Sequence, residues 1–222
     1  MSNIYNNLSD FFEKKLSDVA KNYDYANSNI YILEDNFKAL KIEYPDIWQA
    51  LQSCNHQRDK RTIEEYAKDL VSSWVYEDTV LNYLKNDFDI ELYGADRERR
   101  VLSNSKVSSD NDFIIKKNGE LLNIELVNSY TNYWKKYQRI DLRDNKFEKL
   151  KSKQAILICV DICNKEFYLI DLKKINKNIK YIGHHKPYGK PAYQIFLNDI
   201  TVHSFSIENL IVQLNKLLNE KI

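Results

Sequence analysis

Asp112 and Glu125 are two acids separated by twelve residues, with an Asn118-Gly119 pair between them. Asn-Gly between two β-rich runs predicts a two-residue type I′ hairpin loop, because both central residues of that turn need φ > 0. Lys117 then pairs with Glu120, and continuing the register brings Asp112 opposite Glu125. Directly opposed residues on a sheet have Cβ atoms roughly 4.5–5.5 Å apart. Two carboxylates so placed repel unless a cation lies between them. A hard divalent ion such as Mg²⁺ suits the pair, since it takes one or two carboxylates and keeps waters for the rest. The chemistry available to such a site is metal-assisted hydrolysis. The plainer reading is that both acids are solvated side chains at strand ends.

A third carboxylate interrupts an apolar stripe. From Thr62 the residues Ile63, Tyr66, Leu70, Trp74, Leu81 and Leu84 recur at helical spacing, with Glu77 in the run. An acid in that position needs a partner or faces a site, unless the helix rolls to put it at the boundary. After the hairpin come a basic and aromatic segment, a helix opened by Asp144 and running to about Ser152, and the strands QAILICVDI and EFYLIDL. A basic loop, IGHHKPYGKP, leads to a last strand, AYQIFL, and an amphipathic helix from about Ile207.

The pair Asp112 and Glu125, the helix carrying Glu77, the later helix and the two following strands resemble the PD-(D/E)XK nuclease superfamily, which includes many restriction endonucleases. The resemblance spans roughly Thr62 to Leu172. It implies a restriction-endonuclease-like mixed β-sheet flanked by helices, with Asp112 and Glu125 holding Mg²⁺ and Glu77 assisting through a water. It further implies a sequence-specific, double-stranded DNA endonuclease of the type II restriction kind, acting as a homodimer. In that superfamily a lysine stands two residues after the second acid; here the residue is Val127. The active-site cation is therefore expected from another element, with Lys146 in the first turn of the later helix, Lys136 and Lys135 as the candidates. Two other readings share these residues: a non-catalytic nucleic-acid-binding protein on a nuclease fold, and an RNA-cleaving toxin or defence nuclease.

The elements around the hairpin define an electropositive side. Net charge is +1, but Lys135 to Lys153 holds eight basic residues against three acidic ones. Lys173 to Lys190 holds six lysines and no acid. That asymmetry marks either a nucleic-acid face or two solvated lysine-rich surfaces. Within NSYTNYWKKYQR, Tyr130, Tyr133, Trp134 and Tyr137 alternate with Lys135, Lys136 and Arg139, a pattern in which rings stack on bases and cations meet phosphates. Tyr133 and Tyr137, four apart, equally form a helical core stripe. The expected DNA contacts are Lys135, Lys136, Arg139, Arg143, His185, Lys186 and Lys190, and His184 or His185 is a lesser candidate for a catalytic base.

Composition sets the frame. Hydrophobic residues at 43% and charged residues at 29% of 222 suit a chain that buries a core. The reading divides it into a helical N-terminal subdomain, 1–60, and an α/β core, 61–222. Cys54, Cys159 and Cys163 are odd in number and lack framework spacing, so they read as small hydrophobes in a reducing compartment. Cys54 and His56 lack the second pair a zinc site needs. No run of apolar residues is long enough to span a membrane and the first residues carry no secretion-signal pattern, so a cytoplasmic protein is expected.

Overall fold

A computed structural model describes residues 76–77, 80–94, 110–129 and 131–220, together with Pro45 and Gln49. The expected helical subdomain, apart from Pro45 and Gln49, lies outside the described residues, as does Tyr130. The chain groups into two compact units: Met1–Asn82 with Ala95–Ser108, and Tyr83–Gly94 with Ser109–Ile222. The expected boundary near residue 60 lies outside the described residues. Among the described residues no helix is long and apolar enough to cross a membrane.

The second unit is mixed α/β. Its larger sheet has six strands in the order β1-β2-β3-β5-β6-β9: β1 (Asp89–Leu92), β2 (Phe113–Lys117), β3 (Glu120–Ser129), β5 (Ile156–Asp161), β6 (Glu166–Asp171) and β9 (Val202–Ser204). β2 and β3 form the hairpin foreseen from Asn118-Gly119, which take φ of 52° and 85°. Lys117 pairs with Glu120 and Phe113 with Ile124. β3 then runs parallel to β5, from Ile124↔Ile156 to Ser129↔Asp161. Parallel neighbours need a crossover connection. Here it comprises α1 (Tyr133–Tyr137), β4 (Arg139–Arg143) and α2 (Asp144–Ser152). All six residues of β5 are buried: 156–160 form the uninterrupted apolar run expected of a doubly covered strand, and the buried Asp161 ends it.

Alternation along the strands divides the core. Leu157 and Cys159 of β5 pack with Phe147 and Leu150 of α2, and with Trp134, Ile140, Leu142 and Ile195. Ile156, Ile158 and Val160 are buried on the other face. The last helix, α3 (Ile207–Asn219), adjoins β3 and turns Ile207, Leu210, Leu214 and Leu218 inward. Its cap is the Ser206 hydroxyl, which accepts from the Asn209 N–H at 3.1 Å. The residue before α2 is Arg143, so Asp144 sits inside the first turn and accepts from the Asn145 N–H rather than capping from outside.

Two expectations change here. The segment from Arg139 is a strand, since Ile140 and Leu142 alternate with Arg139, Asp141 and Arg143. The expected loop IGHHKPYGKP is instead mostly a hairpin: β7 (Ile179–His185) and β8 (Lys190–Phe196) pair antiparallel, with a bulge between Ile182 and His185. β8, which contains the expected last strand AYQIFL, is the centre of a separate three-stranded sheet, β4-β8-β7.

Gly94 fixes how closely β1 approaches the start of β2. It has φ +75°, and a Cβ there would lie 2.7 Å from the Asn111 backbone oxygen. Both left-handed backbone and collision with main chain disfavour a side chain. Gly94→Ala should lower unfolding free energy by about 1–3 kcal/mol, read from the urea midpoint at unchanged m-value.

Candidate active site

Asp112 is placed by its backbone. Tyr93 N–H donates to Asp112 O at 2.8 Å, and Asp112 N–H donates to Ile124 O at 2.9 Å. Before it, Asn111 is fully buried and its Nδ2 donates to Phe113 O. The regular pairing ends at Phe113↔Ile124, and the Asp112 N–H turns to Ile124 O, one residue out of that register, so Asp112 sits at a bend at the open end of the hairpin rather than in the ladder pair with Glu125 that the turn predicts. Leu126 N–H donates to Asp112 Oδ2 at 2.8 Å, an orienting bond that a backbone amide gives a carboxylate without adding charge.

Glu125 is buried, at 8% exposure, on the strand face that looks toward α2. Asn123 shares that face, and its Nδ2 donates to Lys153 O at the end of the helix. Val127 shares it too, packed against the cluster of Leu157, Cys159, Phe147 and Leu150. A lysine at 127 would carry its ammonium into that apolar cluster, which explains physically why the strand supplies none. The cation comes from the helix instead. Lys146 Nζ lies 2.8 Å from Glu125 Oε1 and donates to Asp110 O at 2.9 Å. The Glu125 charge reaches the core behind it: burial first, and Glu125 second, push the Cys159 thiol far above its usual range.

The structure brings Lys146, and not Lys135 or Lys136, to Glu125. Lys135 pairs with Glu166 at 3.4 Å, and Lys136 lies over the Tyr137 ring, both on α1. Glu77 is buried on a helical stretch of the first unit. The pair Asp112 and Glu125 offers hard oxygen donors, the type Mg²⁺ requires. Among the described residues no three His, Cys, Asp or Glu side chains converge. A cation bound there would take two carboxylates and complete its shell with water, which suits Mg²⁺.

The other expected contacts divide into exposed and internal. Arg143, Lys186 and Lys190 are exposed, and Arg143 lies over the Tyr188 ring. Arg139 lies over the Tyr133 and Tyr137 rings, which sit 4.7 Å apart, and its Nη2 donates to the Tyr133 hydroxyl. His185, expected on a groove-facing loop, is 5% exposed, with Nε2 3.1 Å from Asp141 Oδ2. Tyr133 OH donates to the same oxygen at 2.8 Å, and Tyr188 OH to Asp141 O. Burial foremost, then this bond to Asp141, pushes the Tyr133 phenol upward. Asp141 is thus the anchor that holds the β7–β8 hairpin tip against β4. His185 is internal because the bulge folds it inward. Sequence reading missed Asp110, Asn111 and Asp141. Only Asp141 left a signal, as the one acid between the two arginines of the alternating run RIDLR. No protein-family model matches the chain and no curated protein matches it, so the reading of the site rests on its geometry.

Lys146→Met leaves the buried Glu125 carboxylate facing less positive charge. It should destabilise the metal-free protein by about 1–3 kcal/mol. In the Glu125→Gln background the same change should be milder by at least about 0.5 kcal/mol. Urea denaturation of the four proteins of this cycle measures the difference.

Proposed function

We propose that this protein is a Mg²⁺-dependent double-stranded DNA endonuclease of the restriction kind. One observation carries the reading: at the open end of one hairpin, Asp112 is held by the amide of Leu126, the residue after Glu125, and a lysine ammonium from a neighbouring helix lies 2.8 Å from Glu125. Asp112 and Glu125 would hold the metal, which when bound supplies charge neutralisation and an activated water for phosphodiester hydrolysis. The chain's own residues do the rest. The Leu126 amide and the β2–β3 register fix the direction of the Asp112 carboxylate. Lys146 stands where a second positive group, besides the metal, would meet charge developing on the phosphoryl oxygens, the electrostatic role that usually dominates such sites. Substrate is held elsewhere. Arg143, Lys186, Lys190, Lys135 and Lys136 present charge for backbone phosphates, and Tyr137, 47% exposed, presents a ring for stacking. Two copies related by a twofold axis would match such a site to a palindrome.

A digest of mixed-sequence plasmid with and without Mg²⁺ tests the reading. Discrete bands in Mg²⁺ alone support it. Smearing, or loss of RNA with intact plasmid, points away from sequence-specific DNA cleavage. Asp112→Ala and Glu125→Ala should each abolish cutting, and wild-type rates in either would remove the site. Lys146→Ala should slow cleavage roughly 10²-fold or more, while DNA binding in Ca²⁺ changes far less.

A further inference from the structure

Lys146, Lys149 and Lys153 recur at i, i+3 and i+7 along α2 and its C-terminal cap, which confines them to one face of the helix. That face meets the segment leading into β2. Lys149 Nζ lies 3.0 Å and Lys153 Nζ 2.5 Å from a single oxygen, Asp110 Oδ1, while Lys146 donates to the Asp110 carbonyl. Lys153 also stands 4.5 Å from the centre of the Tyr93 ring and 3.5 Å from Asn111 Oδ1. The side chains of Lys149, Lys153 and Asp110 are 39%, 28% and 21% exposed, so the cluster opens to water. It lies two residues from Asp112. The arrangement is one anionic oxygen gripped by two ammoniums beside an open aromatic ring, on the border of the proposed metal site.

A phosphodiester oxygen matches a carboxylate oxygen in charge and in accepting charge-assisted hydrogen bonds, and lysine meets phosphate as a point charge. Partly exposed ion pairs are weak and screened by salt, so they exchange readily for another anion. We propose that Asp110 occupies the place of a backbone phosphate, and that Lys149 and Lys153 pass from it to the phosphodiester neighbouring the one at Asp112 and Glu125. The assignment of the ligand as nucleic acid rests on the function proposed above. Asp110 is then a built-in competitor: it keeps α2 neutralised in the free protein and lowers apparent affinity for nucleic acid until a phosphate replaces it.

Binding of a short mixed-sequence DNA duplex, in Ca²⁺ across a series of KCl concentrations, tests this. The Lys149→Gln/Lys153→Gln protein should show a log K against log salt slope shallower by roughly 0.9 for each lysine. Asp110→Asn should bind about threefold or more tighter than wild type, as removal of a competing occupant does. A wild-type slope in the lysine variant, or a folded Asp110→Asn with unchanged or weaker affinity, overturns the proposal. If Asp110→Asn does not melt cooperatively, the lysine variant decides alone. Plasmid cutting by the wild type is scored in parallel. The shallower slope without any cutting removes the nuclease reading and leaves this site; cutting with an unchanged slope removes this site only.

Discussion

Side chains on a strand alternate between faces, so a slip of one residue between β2 and β3 would send every inward group outward. Phe113, Ile115, Leu122 and Ile124 would lose their burial together, and Glu125 would leave the face that looks toward α2. The Asn118-Gly119 turn prevents this by fixing where the pairing begins. From that one constraint follow the placing of Asp112 at the open end of the hairpin and the bond from Leu126 N–H to its carboxylate. The packing of α2 over Glu125 and Val127 follows in turn. The candidate site is the open end of a hairpin whose closed end sets its geometry.

Charge and packing make opposite demands on the strand face that carries Glu125. A carboxylate at 8% exposure needs positive charge close by, yet the next position on that face lies against an apolar cluster. Placing the cation on α2 satisfies both demands. The lysine stem crosses the helix–sheet boundary while Val127 keeps the cluster apolar, and the ammonium arrives from the wetter side, at 24% exposure. Long basic side chains do this readily, because their stems tolerate apolar surroundings while the head stays polar.

The parts of the fold legible in the sequence are those governed by local rules. The hairpin follows from two turn residues, β5 from an unbroken apolar run, and α3 from its 3.6-residue period after Ser206. The placement of Lys146 beside Glu125 was also legible, since Asp144 opens a helix with Lys146 in its first turn, and that turn can point back toward the strand ends. What escaped depends on partners distant in sequence. β4 is only five residues long, and its pairing with β8 spans some fifty positions. Its basic residues drew attention to nucleic acid and away from the alternation of Ile140 and Leu142. His185 escaped for the same reason: a histidine among lysines and prolines reads as exposed, and only the pairing of β7 with β8 and the presence of Asp141 bring it inside. Asp110 left no local signal, because its meaning comes from lysines some forty positions away.

The bulge between Ile182 and His185 has a second effect, on how the molecule meets its own copies. β7 is an edge of the smaller sheet, with the row of open amides and carbonyls that invites strand-to-strand aggregation. The bulge between Ile182 and His185 breaks that row, and Lys180 places a charge on its exposed stretch. The larger sheet ends at β9, only three residues long, which offers little template for a further strand. A protein with this much β-structure is thereby discouraged from self-association by sheet extension at both of these edges, and any pairing of copies there must draw on side-chain surfaces instead of open backbone.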